Sequence, residues 1–209
     1  MDDQGILILA RHGQSEGNAL NVFTGLRNLP LTDAGRHEAR AIARALKAAG
    51  YRPDRIFSSA LDRAIETAQI IVNTLGGGIP FTSEAALNER DYGDLTGLNK
   101  AEAAVRFGDR QVHEWRRSYD TSPPGGESLR DARLRVVPYY EAGIRPHLQK
   151  GETVLIIAHG NSLRALMMEV EKMTPAQIVN CELKTGEIIV YRRDDRGHAA
   201  RVADIPVTI

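Results

Sequence analysis

Ile6-Leu7-Ile8-Leu9-Ala10-Arg11-His12-Gly13-Gln14-Ser15-Glu16-Gly17-Asn18 passes from an apolar segment of strand length straight into a cation, an imidazole and a glycine. Short apolar runs closed by glycine read as buried strands, although periodicity alone also allows a buried helix. As a strand of an open α/β sheet, the run leaves Arg11 and His12 just past its carboxyl end, where such sheets place ligands. Gly13 lets the backbone turn or approach a ligand with no Cβ in the way. On its own the stretch equally fits a capped strand with a surface histidine, so the rest of the chain must supply partners.

A second run does so. Thr153-Val154-Leu155-Ile156-Ile157-Ala158 is β-branched, almost wholly apolar, and ends in His159-Gly160-Asn161. On neighbouring parallel strands the two imidazoles would emerge at the same sheet end and face one reacting atom. Thr32-Asp33 starts a helix whose Ala39, Ile42, Leu46 and Ala49 keep helical spacing up to Gly50. Arg55 to Ser59 reads as a short strand, and Leu61, Ile65, Ala68, Val72 and Leu75 mark a helix ended by Gly76-Gly77-Gly78. This alternation predicts parallel βαβ units.

Residues 14–31 read as a loop over the end of the first strand, and Phe81 marks a further strand. Asn99-Lys100-Ala101-Glu102 has capping-box form, and a second short helix holds Trp115-Arg116-Arg117. After the Ser122-Pro123-Pro124-Gly125-Gly126 loop, Ser128 opens a long helix with Val136, Tyr140, Ile144 and Leu148 on one side, kinked at Pro138. Ser162 onward is helical, and the segments around Ile189 and Arg201 read as terminal strands, one at the sheet edge.

The 209 residues, 42% hydrophobic, suffice for one sizeable core and a single domain over residues 1–209. Lys plus Arg balance Asp plus Glu at 27 each, which points away from nucleic acid and membrane partners. An anion site must therefore be a local concentration of cations. The single Cys181 allows no intramolecular disulfide and suits a reducing compartment. No apolar run approaches a membrane span, and acidic Met1-Asp2-Asp3-Gln4 lacks the basic and apolar regions of a secretory signal. A soluble cytoplasmic protein is expected.

Neutral imidazole is a good nucleophile near pH 7 and forms covalent intermediates. The other candidates are cations: Arg11, Arg63, Arg90, Lys100, Arg116 and Arg117. The arginine fork suits bidentate phosphate binding, and phosphoryl transfer is catalysed mostly by positioning and by stabilising spread negative charge. Singly, Arg116-Arg117 would read as a solvated helix face and Glu89 as a surface acid; His37, His113, His147 and His198 read as surface residues. The two strand-end histidines with Glu89 lack metal-ligand spacing, so no metal is expected.

These residues resemble the histidine phosphatase superfamily, through Leu9-Ala10-Arg11-His12-Gly13 and Ala158-His159-Gly160. Within it the chain is most similar to the cofactor-dependent phosphoglycerate mutases. Phe23-Thr24-Gly25, Arg63-Ala64, Leu87-Asn88-Glu89-Arg90, Tyr92-Gly93, Gly97-Leu98-Asn99-Lys100, Trp115-Arg116-Arg117 and the run His159 to Arg164 carry that likeness. The resemblance implies a three-layer α/β/α sandwich with a mostly parallel central sheet. It implies interconversion of 2- and 3-phosphoglycerate primed by 2,3-bisphosphoglycerate, no metal, and a homodimer or homotetramer. By matching position, His12 would be the phosphorylated nucleophile, surrounded by Arg11, Arg63 and His159, with Glu89 as proton donor and acceptor. Asn18, Thr24, Gly25, Arg90, Tyr92, Lys100, Arg116, Arg117, Gly160 and Asn161 would bind substrate.

One departure stands out. Many mutases carry an insertion where Pro123-Pro124-Gly125-Gly126-Glu127-Ser128-Leu129 is continuous here. Phosphatases of the superfamily share the short join, so a broad phosphomonoesterase using the same His12 is the alternative.

Overall fold

The computed structural model describes residues 5–193 and 199–207. The chain opens with β1 (Ile6–Arg11), the single-turn α1 (Glu16–Ala19), α2 (Asp33–Ala48), β2 (Arg55–Ser59), α3 (Asp62–Thr74) and β3 (Phe81–Glu84). Then come α4 (Lys100–Phe107), α5 (Asp109–Arg117), α6 (Leu129–Tyr139) and α7 (Arg145–Gln149). β4 (Thr153–Ala158), α8 (Gly160–Val170), α9 (Pro175–Ile178), β5 (Ile188–Arg193) and β6 (Ala199–Ile205) complete it.

One sheet runs in the order β3-β2-β4-β1-β5-β6. The first four strands are parallel, whereas β5 pairs antiparallel with β1 and β6 antiparallel with β5. The sheet is thus mostly parallel, with an antiparallel edge. β1 and β4 are neighbours in a register that sets Arg11 beside Ala158. The His12 amide extends this ladder by donating to the Ala158 carbonyl at 3.1 Å. His12 and His159 therefore leave the sheet side by side, as the two strand ends predict.

Period-two alternation divides the strands between two cores. Leu7, Leu9, Val154 and Ile156 pack with Val136 of α6 and Leu163 and Leu166 of α8. Ile8, Ala10, Leu155 and Ile157 pack with Ile42 and Leu46 of α2 and Ala64, Ala68 and Ile71 of α3. Helices thus cover both faces of the sheet. A third cluster, Phe23, Leu95, Ala103, Val112 and Trp115, joins α4 and α5 to the loop after β1. It anchors the segment that carries Lys100, Arg116 and Arg117.

Local signals place the helix ends. Thr32 Oγ1 accepts from the Gly35 amide, Ser128 forms a capping box with Asp131, and Gly76, Gly77 and Gly78 all take positive φ. Three features differ from the sequence reading. The 14–31 loop contains α1, capped by Ser15. The long helix continues through Pro138, then widens into a π-helical segment over Tyr140–Ile144 before α7 resumes. His147 is half-buried and pairs with Glu152 at 3.0 Å, whereas His37 and His113 are exposed; His198 lies outside the described residues.

The Pro123–Gly126 loop is tied down. The Asp94 amide donates to the Pro124 carbonyl at 2.9 Å and the Glu127 amide to the Asp91 carbonyl at 2.9 Å. Gly93, at φ +50°, lies so close that a Cβ there would sit 2.2 Å from the Pro124 oxygen. The short join buttresses the segment that follows Glu89.

Candidate active site

His12 is buried, 2% exposed, and its Nδ1 lies 2.6 Å from the Gly13 carbonyl oxygen. A carbonyl only accepts, so Nδ1 carries the proton and Nε2 keeps its lone pair. Burial holds the imidazole well below its ordinary pKa, reinforced by the nearby charges of Arg63 and Arg11 and opposed by the Gly13 carbonyl. His12 is thus a neutral, oriented base or nucleophile at neutral pH. Gly13 has a different reason from the expected ligand approach: a Cβ there would sit 2.2 Å from the Gly35 carbonyl oxygen. Its small size lets the start of α2 pack on the end of β1.

The His159 ring lies 4.7 Å from the His12 ring, centroid to centroid. It is fully buried, and its Nε2 is 2.6 Å from Ser59 Oγ at the end of β2. Burial, then Arg63, His12 and Arg11, hold its pKa far down as well. Arg63, on the first turn of α3, donates to the carbonyls of Gly25 at 2.9 Å and Arg27 at 2.8 Å. Burial lowers its pKa to about 10, which leaves it charged at neutral pH. Arg11 donates through Nη1 to the Leu183 carbonyl at 2.9 Å, and its buried Nε has no partner.

Glu89 follows the short turn after β3 and is 9% exposed. Its Oε1 accepts from the Arg90 amide at 2.8 Å and the Asn161 amide at 3.2 Å. A Cβ on Gly160 would sit 3.9 Å from both Glu89 Oε2 and the Arg11 guanidinium carbon. The carboxylate and the guanidinium therefore flank the start of α8.

Two adjoining cavities share Arg11, Glu89, Tyr92 and Lys100 as walls. One adds His12, Asn18, Thr24, Gly25 and Arg63. The other adds Arg116, Arg117, Gly160, Asn161 and Arg164. Burial, then Arg116 and Arg11, lower the pKa of Lys100. Almost every residue singled out in the sequence thus meets at one sheet end.

Arg90 does not. It is fully buried, lines neither cavity, donates to the Trp115 carbonyl at 2.7 Å and stacks on Tyr92 at 4.8 Å. It braces the walls of the site from behind instead of facing a ligand. Three further residues join the site. Arg164 donates to Asn161 Oδ1 at 3.1 Å and to the Arg117 carbonyl at 3.0 Å, and burial lowers its pKa to about 10. Its three-residue spacing from Asn161 on α8 was the readable signal. Glu182 pairs with Arg117 at 2.9 Å, and Ser59 meets His159. Among the described residues, no group of three or more His, Cys, Asp or Glu side chains could hold a metal ion. No described helix is long and apolar enough to cross a membrane.

Residues 7–205 match the model of the histidine phosphatase superfamily, branch 1. The chain belongs to that superfamily. Within it, a relative from Brucella melitensis biotype 2 (strain ATCC 23457), named 2,3-bisphosphoglycerate-dependent phosphoglycerate mutase, is 56% identical over 187 residues, 89% of this chain and 91% of that protein. A relative of the same name from Brucella anthropi is 54% identical over the same shares. Among solved structures, Bacillus stearothermophilus YhfR is similar with a TM-score of 0.84 at 25% identity, covering 98% of both chains. A mycobacterial glucosyl-3-phosphoglycerate phosphatase is similar with a TM-score of 0.79 at 26% identity, covering 95% of this chain and 97% of that one. This histidine phosphatase superfamily member thus shares its fold with phosphatases and more than half of its matched residues with mutases.

Proposed function

We propose that this protein is a cofactor-dependent phosphoglycerate mutase that interconverts 2- and 3-phosphoglycerate through a phosphohistidine at His12. The observation that carries this reading is the pair of cation-lined cavities meeting at Arg11 and Glu89. A phosphomonoester needs only the pocket at His12. A substrate with a second anionic end, and two hydroxyl positions to present in turn, uses both.

In this reading the Nε2 lone pair of His12 accepts the phosphoryl group and later returns it. Arg11, Arg63 and His159 meet the charge that spreads over its oxygens. Glu89 accepts the proton of the attacking substrate hydroxyl and gives one to the departing oxygen. Lys100, Arg116 and Arg117 hold the far anionic group, with Asn18, Thr24, Gly25, Tyr92, Gly160 and Asn161 lining the walls. Arg90 acts by positioning Tyr92 and the end of α5.

The residues also fit 2,3-bisphosphoglycerate. Its two phosphates match the cations at the two cavities, and Arg11 Nε is a buried donor with no partner in the protein. When bound, it supplies the priming phosphoryl group. The phosphomonoesterase alternative rests on the direct Pro123–Ser128 join and on the phosphatase among the similar structures. A coupled assay with 3-phosphoglycerate, with and without catalytic 2,3-bisphosphoglycerate and with parallel phosphate detection, separates the two. Cofactor-stimulated 2-phosphoglycerate with little free phosphate is expected. Mainly phosphate release would overturn the mutase reading.

A further inference from the structure

Ser59 sits at the carboxyl end of β2, the strand on the far side of β4 from β1. It is fully buried. Its hydroxyl oxygen accepts from the Leu61 amide at 3.3 Å and lies 2.6 Å from His159 Nε2. A hydroxyl can donate once. If Nε2–H donated to it, the hydroxyl would receive two hydrogens and its own proton would be buried without an acceptor, at a cost of about 1–3 kcal/mol. If the hydroxyl donates to Nε2, these three groups are satisfied, the imidazole proton sits on Nδ1, and Nδ1–H is left as the one unpaired group, against both the hydroxyl proton and the Nδ1 lone pair in the other arrangement. That atom is buried and has no hydrogen-bond partner in the protein. It belongs to the ring packed on His12 at 4.7 Å, and the cations Arg63, Arg11 and Arg135 act on that ring together with His12.

We propose that Ser59 is a positioning residue that locks neutral His159 in the Nδ1–H tautomer, so that His159 serves the site as a fixed hydrogen-bond donor to an oxygen of the transferring phosphoryl group. His159 then gives up no proton during the reaction, and proton transfer is left to Glu89. The two histidines hold the same tautomer for opposite ends: the Gly13 carbonyl accepts from Nδ1–H of His12, which frees its Nε2 for attack, whereas Ser59 masks Nε2 of His159 to present its Nδ1–H. A wrong tautomer would turn a lone pair toward the phosphoryl oxygens, a repulsive contact in a water-poor site.

The assignment rests on His12 as phosphoryl carrier but not on which acceptor takes the phosphoryl group. Long-range 1H–15N spectra of the whole, ligand-free protein read the tautomer directly, with the His159 signals assigned by comparison with His159→Asn. A protonated Nδ1 on His159 in the wild type, with mixed tautomers in Ser59→Ala, is expected. Ser59→Ala should lower kcat about tenfold or more with KM changed less than twofold, and slow 32P incorporation into His12 equally. Ser59→Thr, which keeps the hydroxyl, should recover most of the rate. A wild-type His159 protonated on Nε2 would overturn the assignment, as would an unchanged kcat in Ser59→Ala. Should Ser59→Ala fail to fold, the wild-type spectrum and Ser59→Thr still decide. Failure of mutase activity with the Nδ1–H tautomer intact would instead count against the choice of acceptor.

Discussion

Arg135 Nη2 donates to the main-chain oxygen of Glu89 across 3.0 Å. The same side chain donates through Nη1 to the carbonyls of Ala86 and Asn88, each at 2.9 Å. It also grips Glu127 through Nε and Nη2, while Glu127 Oε2 accepts from the Asp91 amide at 3.0 Å. One arginine of α6 and one glutamate of the short join thus fix both sides of the turn that presents the Glu89 carboxylate. The direct join is part of the scaffold that holds the Glu89 carboxylate.

Arg135→Ala removes the partner of three carbonyls and of the Glu127 carboxylate. A loss of about 2–4 kcal/mol of stability is expected, because charge-assisted donors are replaced by unmet acceptors. kcat should fall more than KM rises, since Glu89 is misplaced while the cations that line the two cavities stay. Urea denaturation and steady-state kinetics on the same preparation check both parts, and unchanged kcat would contradict the link from Arg135 to Glu89.

The two histidines make a pH prediction. Both are held below the ordinary value of about 6.5 in the folded protein, chiefly by burial. Below pH 6.5 the unfolded chain takes up protons that the folded protein refuses. Stability therefore declines as pH falls from about 6.5 toward the depressed folded values, with a slope of up to about 3 kcal/mol per pH unit for the pair. His12→Gln should flatten that slope by removing one of the two uptake sites. For the same reason, the kcat/KM profile should show no acid limb at pH 6.5. Denaturation midpoints and rates measured from pH 5 to 8 read both effects.

Arg90 and Arg116 carry the same charge and should fail differently. Arg90 is fully buried behind the site, so Arg90→Ala is expected to lower stability by about 2–4 kcal/mol through a cavity and a lost carbonyl partner. Arg116 lines the second cavity, so Arg116→Ala should leave stability within about 0.5 kcal/mol and raise KM about tenfold or more. Thermal melts and KM values for 3-phosphoglycerate compare the two. A large KM effect from Arg90 at unchanged stability would place it in contact with substrate.

Gly93→Ala should damage the join. The residue is at φ +50°, and the new methyl would meet the Pro124 oxygen at 2.2 Å, backbone against backbone. Left-handed strain and overpacking together are expected to cost about 2–4 kcal/mol. Gly50→Ala is the control, with φ +79° but nothing within 4 Å, and should lose only the smaller strain cost. Denaturation of the two variants separates clash from backbone strain.

The two apolar runs ending in His12 and His159 made the centre of the site legible, because a parallel register brings like strand ends together. Thr32, Ser128 and the Gly76–Gly78 run marked helix ends through local chemistry that needs no tertiary partner. What stayed hidden depends on tertiary partners. A string of charges does not say which side of a turn faces the cleft, so Arg90 read like Arg116. Ser59 is one small residue in a short strand, and its meaning lies in a partner 100 positions away. The π-helical segment over Tyr140–Ile144 needs hydrogen-bond geometry that a helical pattern of apolar residues does not encode.

In the proposed reaction His12 carries a phosphoryl group and yields it to a phosphoglycerate hydroxyl. Loading the wild-type protein with 32P from labelled 2,3-bisphosphoglycerate, mapping the labelled peptide and chasing with unlabelled 3-phosphoglycerate tests it in one measurement. Acid-labile label on the peptide containing His12, absent in His12→Ala, should pass on chasing into phosphoglycerates. Label on another residue, or label that leaves His12 chiefly as inorganic phosphate despite saturating 3-phosphoglycerate, would contradict it.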